Sequence, residues 1–206
     1  MNLFTDKEFY CEKNKELAAI LTDVVNSKKF YILRGSLAIA LYFKKFYRCY
    51  KDIDFYMDDK DIDFWINFFS KKYIVKKCFI PISRDQKMFQ LIKDQEHMGH
   101  LVFIKDPYDK KNMLKQIYTQ RFLDERNDII VKYSKYIPVT QNERNKALES
   151  KEEIITEIEI DNTKINILNI KYLKEQKIFA KIYNQDKLAP VDNDLEFYFN
   201  IKWGDG

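Results

Sequence analysis

The chain has 206 residues and a formal net charge of +4, with 36 Lys and Arg against 32 Asp and Glu, so charge alone makes no case for a nucleic-acid partner. Three cysteines without a C-x-x-C pair, beside two histidines, argue against a zinc site and fit a reducing compartment. The first residues lack a basic stretch followed by an apolar run, and nothing approaches the ~18 uninterrupted apolar residues of a membrane span. With 46% apolar residues the chain is expected to be soluble, cytoplasmic and able to bury a core.

Taken in order, Thr5-Asp6-Lys7-Glu8 has the form of a capping box and predicts a helix over 5–26, with an apolar face of Phe9, Leu17, Ile20, Leu21, Val24 and Val25. Residues 30–33 read as a short buried strand stopped by Gly35. A helix over 36–46 is apolar nearly all round and is therefore expected inside the molecule. A second strand covers 52–57 and another helix 60–72. Extended segments follow at 73–80, 87–92 and 100–104, the last two paired as a hairpin across a polar turn containing Gly99. Residues 107–150 are charged and partly helical, broken at Pro138. A half-exposed strand is expected at 153–160, a helix at 169–183 and a last helix at 194–201. The sum is an α+β fold: a small mixed sheet flanked by helices, with a helical C-terminal part. Residues 1–106 form the core and 107–206 a mostly helical part that completes the site, either as separate units or as one continuous domain.

Two features carry chemistry. Gly35 stands where a strand turns sharply into a helix, and Ser36 sits at that helix's N-terminus, where free N–H groups and the helix dipole favour a phosphate. Taken alone this is also an ordinary turn with a serine cap. Asp52 and Asp54 are alternate residues of a strand, so their carboxylates share one face and can ligate one or two divalent cations. The same letters, Asp-Ile-Asp-Phe, recur at 61–64 ahead of a helix. There i and i+2 diverge around the axis, so Asp61 and Asp63 read as caps of that helix, where acidic residues suit the dipole.

Leu33-Arg34-Gly35-Ser36, a helix, and then Arg48-x-x-x-Asp52-Ile53-Asp54-Phe55 resemble the Gly-Ser…Asp-x-Asp signature of the DNA polymerase beta-like nucleotidyltransferases. Within that superfamily the pattern is most similar to the abortive-infection, AbiEii-type enzymes, some of them toxins of toxin–antitoxin pairs. Arg48 matches their arginine, whereas Tyr50 stands in place of their serine. Downstream, Leu173-x-x-x-Lys177-x-x-Ala180 is similar to the family's helix bearing an active-site lysine. Lys177 borders the apolar side of that helix, where a lysine either snorkels or meets an anion; the resemblance implies the latter, a contact to nucleotide phosphates. It also implies an acidic residue farther on, for which Asp192 and Asp194 are both candidates. Asp194 reads equally well as a helix N-cap. A third carboxylate has no distinctive context; Asp106, Glu157 and Glu159 are the candidates.

The resemblance thus implies Asp52, Asp54 and Lys177 as catalytic residues, and Asp52 and Asp54 as ligands to Mg²⁺ or Mn²⁺. It implies Gly35, Ser36, Arg48 and Lys177 as the grip on a nucleoside triphosphate donor. Three roles stay open at this level: transfer to a tRNA end by a toxin with a protein antitoxin as partner, transfer to the hydroxyl of a small molecule such as an antibiotic, and nucleotide or partner binding without turnover.

Overall fold

The computed structural model describes residues 11–78, 87–119, 145–146, 149–183 and 189–202. The capping box at 5–8, the end of the strand expected at 73–80, and Pro138 lie outside the described residues. Among the described residues seven strands form one mixed sheet: β1 Tyr31–Arg34, β2 Ile53–Asp58, β3 Ile74–Cys78, β4 Lys87–Lys93, β5 Glu96–Ile104, β6 Ile155–Ile160 and β7 Thr163–Leu168. Their order across the sheet is β3-β4-β5-β2-β1-β7-β6. The helices named below are α1 Glu12–Asn26, α2 Gly35–Phe43, α3 Ile62–Ser70, α4 Lys110–Thr119, α5 Ile170–Tyr183 and α6 Ala189–Phe199. No helix among the described residues is long and apolar enough to cross a membrane.

The two central strands, β1 and β2, run antiparallel with Arg34 opposite Asp54, and each pairs in parallel on its outer side, β1 with β7 and β2 with β5. Strands from the C-terminal half therefore extend the same sheet as those from the N-terminal half. Central strands are buried on both faces, which explains the apolar run of β1 and the burial of β2 at every position but Asp54. The all-apolar α2 is enclosed as expected. Leu37, Ala38, Ile39, Ala40 and Leu41 are buried where the helix lies between the sheet and α5 and α6. Burial of each of its large side chains stabilises the fold by roughly 1.5–3 kcal/mol.

The predicted 36–46 helix stops early, at Phe43. Lys44 enters the left-handed region (φ 52°), its N–H reaches Leu41 O and that of Lys45 reaches Ala40 O, which is a Schellman-type ending without its usual glycine. This frees a loop over 44–52 that carries Tyr47 and Arg48. Asn14 of α1 holds the loop by accepting from the Tyr50 N–H at 2.8 Å. A disulfide joins Cys11 to Cys49, with Cα atoms 6.2 Å apart, and so departs from the reduced-cysteine reading; the pair depends on a tertiary approach that spacing does not encode. Cys78 is free.

Two local expectations change. Asp61 occupies the N-cap position of α3 but makes no side-chain cap there; its carboxylate pairs with Lys29 at 2.7 Å, and Asp58 instead accepts from the Lys60 N–H. Gly99 is not in the hairpin turn. The turn is Asp94-Gln95, both at positive φ as a two-residue hairpin of this hand requires. Gly99 lies within β5, opposite both Ile53 of β2 and Leu91 of β4. It has φ 154°, and a Cβ there would sit 1.8 Å from Ile53 O. Gly99→Ala should thus break the β2–β5 pairing and cost more than about 4 kcal/mol. Far-UV circular dichroism and thermal melting of the variant check this; a melting point within a few degrees of wild type would mean the pairing is wrong.

Candidate active site

The turn from β1 into α2 is built by backbone geometry. Arg34 is extended (φ −135°, ψ −178°) and Gly35 follows at φ 80°, a conformation that a side chain would strain. A Cβ on Gly35 would meet Asp54 Oδ2 at 3.1 Å. The glycine thus lets the start of α2 lie against the carboxylate of the neighbouring strand. Gly35→Ala should cost about 1–2 kcal/mol for the backbone, and by displacing Asp54 it should lower any activity of the site by about 10²-fold. A melting curve and a turnover assay on the same preparation separate the two effects.

Behind this turn, Asp194 of α6 is fully buried and collects donors from three directions. Ser36 Oγ donates to its Oδ2 at 2.7 Å and the Tyr47 hydroxyl to its Oδ1 at 2.5 Å. The Arg48 guanidinium spans both oxygens, Nη2 lying 3.1 Å from Oδ1 and 3.0 Å from Oδ2. Lys177 Nζ, reaching in from α5, lies 2.9 Å from Oδ2 and also donates to Ser36 Oγ. Burial alone would raise the Asp194 pKa, but the positive charge of Lys177 and hydrogen bonds from Arg48, Tyr47 and Lys177 overcome it and hold the carboxyl below its ordinary value. Two partly buried cations against one carboxylate leave the cluster positive, and an anion is the natural complement.

Asp194 lies within α6, which begins at Ala189, so its expected role as a helix N-cap is replaced by that of a hub. Arg48, assigned by resemblance to the nucleotide, spends its guanidinium on this aspartate and on packing over the Tyr50 ring, 4.5 Å from its centroid. The Tyr50 hydroxyl meets that of Tyr198 at 2.6 Å, which in turn donates to Lys45 O. Tyr50 thus ties the loop to α6.

The carboxylate pair lies on the other side of Gly35. Asp54 accepts the backbone N–H of His100 at 3.1 Å, and its Oδ1 is 3.1 Å from that histidine's Nδ1. Burial pushes the Asp54 pKa up; the Arg34 guanidinium and the hydrogen bond from His100 prevail and bring it down to about 2. Asp52, just before β2, is more open, with 39% of its side chain exposed, and His97 Nε2 stands 3.6 Å from its Oδ2. Arg34 faces the same pair and lies over the Tyr56 ring, 4.8 Å from its centroid.

The three candidates for a third acid are elsewhere. Asp106 follows the far end of β5 from Asp54, because β2 and β5 run parallel with Asp54 opposite His100. Glu157 and Glu159 belong to β6, the outer strand three places from β2. A histidine takes the neighbouring position instead. His97 and His100, three apart, would face opposite ways on a regular strand. A bulge where β5 passes Leu91 and Ile92, next to Gly99, breaks that alternation and brings their rings 4.4 Å apart.

Among the described residues no three His, Cys, Asp or Glu side chains converge as a metal cage. Asp52 and Asp54 form a two-carboxylate donor set of hard oxygens, open on the Asp52 side. That set would suit a hard cation such as Mg²⁺ or Mn²⁺ and would not suit a structural zinc.

No protein-family profile matches the chain, and no curated protein does. Solved structures are similar to it. The lincosamide antibiotic adenylyltransferase LnuA, with lincomycin bound, superposes with a TM-score of 0.53 at 19% identity, over 88% of this chain and 93% of that one. A putative nucleotidyltransferase from Thermotoga maritima gives 0.46 at 18% identity, over 87% and 90%. Cid1 in complex with a UTP analogue gives 0.32 at 14% identity, over 89% and 69%. Along nearly the whole length of the antibiotic adenylyltransferase, then, the backbone architecture is shared: this chain is built on the nucleotidyltransferase fold.

Proposed function

We propose that the chain is a nucleotidyltransferase, moving a nucleoside monophosphate from a nucleoside triphosphate to an acceptor hydroxyl with release of pyrophosphate. The observation that best supports this reading is the contact at Gly35. The start of α2, with Ser36 and Lys177 beside it, lies against the Asp54 carboxylate with only a glycine's space between. A phosphate grip and a cation-binding carboxylate pair are thereby adjacent, as transfer at the α-phosphate requires.

In this reading the free N–H groups at the start of α2 hold the outer phosphates. Lys177 carries three N–H donors; among the described residues it contacts Asp194 and Ser36, and in this reading it also meets the phosphates. Arg48 acts at one remove, by holding Asp194. Asp52 and Asp54 hold Mg²⁺ or Mn²⁺, which when bound offsets charge on the reacting phosphates and aligns them. Arg34 keeps Asp54 ionised, and His100 fixes the direction of its carboxylate.

A small-molecule hydroxyl is the acceptor that the shared fold with a lincosamide adenylyltransferase favours. The AbiEii-type resemblance around Gly35-Ser36, Asp52-x-Asp54 and Lys177, now joined by Asp194, favours a second acceptor, a tRNA end, and with it an antitoxin partner. The test is to incubate purified protein with each labelled nucleoside triphosphate and Mg²⁺ or Mn²⁺, offering in turn an antibiotic panel, total RNA and cell protein. Label in an antibiotic supports the first acceptor and label in RNA the second. Binding without transfer to any acceptor, or an Asp52→Ala variant that transfers as fast as wild type, would overturn the reading.

A further inference from the structure

The solvent face of α6 is polar at Asn193 and Glu196, both exposed, and exposed Asn200 follows the helix. Phe197 stands among them with 50% of its surface open to water. A single exposed phenylalanine is ordinary, but this one is not isolated. Its ring lies 4.5 Å from that of Tyr47, tilted by 31°, and Tyr47 is the residue whose hydroxyl donates to Asp194. Phe197 follows Asp194 by three residues, which is about one helical turn, or roughly 5 Å along the axis. The Tyr47 ring is braced from the side by Tyr198 at 5.7 Å and by the Arg48 guanidinium, also at 5.7 Å. A rigid, half-open aromatic surface is thus fastened directly to the positive Ser36–Lys177–Arg48 cluster.

We propose that Tyr47 and Phe197 form the stacking platform for the base of the nucleoside triphosphate, an inference that rests on the nucleotidyltransferase reading above. A triphosphate gripped at Ser36 and Lys177 leaves its nucleoside to lie along a neighbouring surface, and the aromatic pair is the apolar surface contiguous with that grip. Stacking uses the π-face that every base has, so the platform confers affinity for nucleosides without choosing among the four bases.

The test compares equilibrium binding of each nucleoside triphosphate with that of inorganic tripolyphosphate, both with Mg²⁺, in wild type, Phe197→Ala, Phe197→Leu and Phe197→Trp. Phe197→Ala and Phe197→Leu should weaken all four nucleotides about tenfold, the size of one lost base–aromatic stack. Phe197→Trp should keep nucleotide affinity, and tripolyphosphate binding should not change in any variant. Unchanged nucleotide affinity in Phe197→Ala would overturn the proposal. So would an equal loss for tripolyphosphate, which would make Phe197 a packing support for Asp194. Weakened binding of an acceptor alone would assign the surface to that acceptor, and a concentration-dependent dimer lost in Phe197→Ala would assign it to a second copy of the chain; either outcome overturns the platform. If wild type binds neither tripolyphosphate nor any nucleotide, the underlying functional reading fails, and the tripolyphosphate result tells that failure apart from failure of the platform alone.

Discussion

Asp52→Asn and Asp54→Asn should each lower nucleotidyl transfer by about 10²–10³-fold or more, the usual scale for removing one charge-stabilising group from a polar active site. Their effects on folding should differ. Asp52 is half-exposed, and its carboxylate makes no closer contact to His97 than 3.6 Å, so Asp52→Asn should melt within about 2 °C of wild type. Asp54 accepts from the His100 backbone and faces Arg34, so Asp54→Asn should destabilise by about 1–2 kcal/mol. Direct titration of Mn²⁺ should show weaker binding in both variants, a readout that does not pass through turnover. The pH dependence follows from the depressed pKa. A carboxylate with a folded-state pKa of about 2 contributes its stability in full above the unfolded value near 4. That contribution disappears as pH falls through the folded value. The acid limb of the wild-type stability curve between about pH 4 and pH 2 should therefore flatten in Asp54→Asn. A variant with full transfer activity and unchanged Mn²⁺ affinity would rule the carboxylate pair out of the chemistry.

The parts of this fold that the sequence announces are those set by local pattern. The apolar run at 36–46, the alternation of Asp52, Ile53, Asp54 and Phe55 and the charged–Ile alternation at 153–160 each point to one element type, and the structure adopts it over Gly35–Phe43, Ile53–Asp58 and Ile155–Ile160. The juxtaposition of Gly35 with Asp54 is half-legible: glycine marks the turn, but only the antiparallel register of β1 and β2 brings the next strand's carboxylate beside it. Gly99 misleads, because a glycine near a polar segment reads as a turn, whereas here it makes room for Ile53 O inside a strand. His97 and His100 carry no signal at a spacing of three; it takes a bulge to put them on one side. The Cys11–Cys49 pair and the Tyr50–Tyr198 contact join residues 38 and 148 positions apart, and spacing along the chain says nothing about either.

Asp194 tests the other half of the site, and its removal should be the most damaging single change to stability there. Asp194→Ala leaves Arg48 and Lys177 facing each other with their side chains only 18% and 12% exposed and no counter-charge between them. Stranding buried charges this way costs about 3–5 kcal/mol, which for a chain of this size lowers the melting point by roughly 10 °C. Asp194→Asn keeps the shape and can still accept hydrogen bonds at its one carbonyl oxygen, so it should fall between alanine and wild type. The partners provide the control. Lys177→Met in the Asp194→Ala background should restore part of the lost stability, because it removes one of the two stranded cations; the double variant should then be more stable than the sum of the single effects by at least about 1 kcal/mol. Transfer should not recover with stability, since Lys177 is needed at the phosphates. That separation of melting point from turnover distinguishes a hub that orients Ser36 and Lys177 from a merely structural ion pair. Additive effects on stability, or an Asp194→Asn variant with wild-type melting and wild-type turnover, would show that the cluster does not work as a unit.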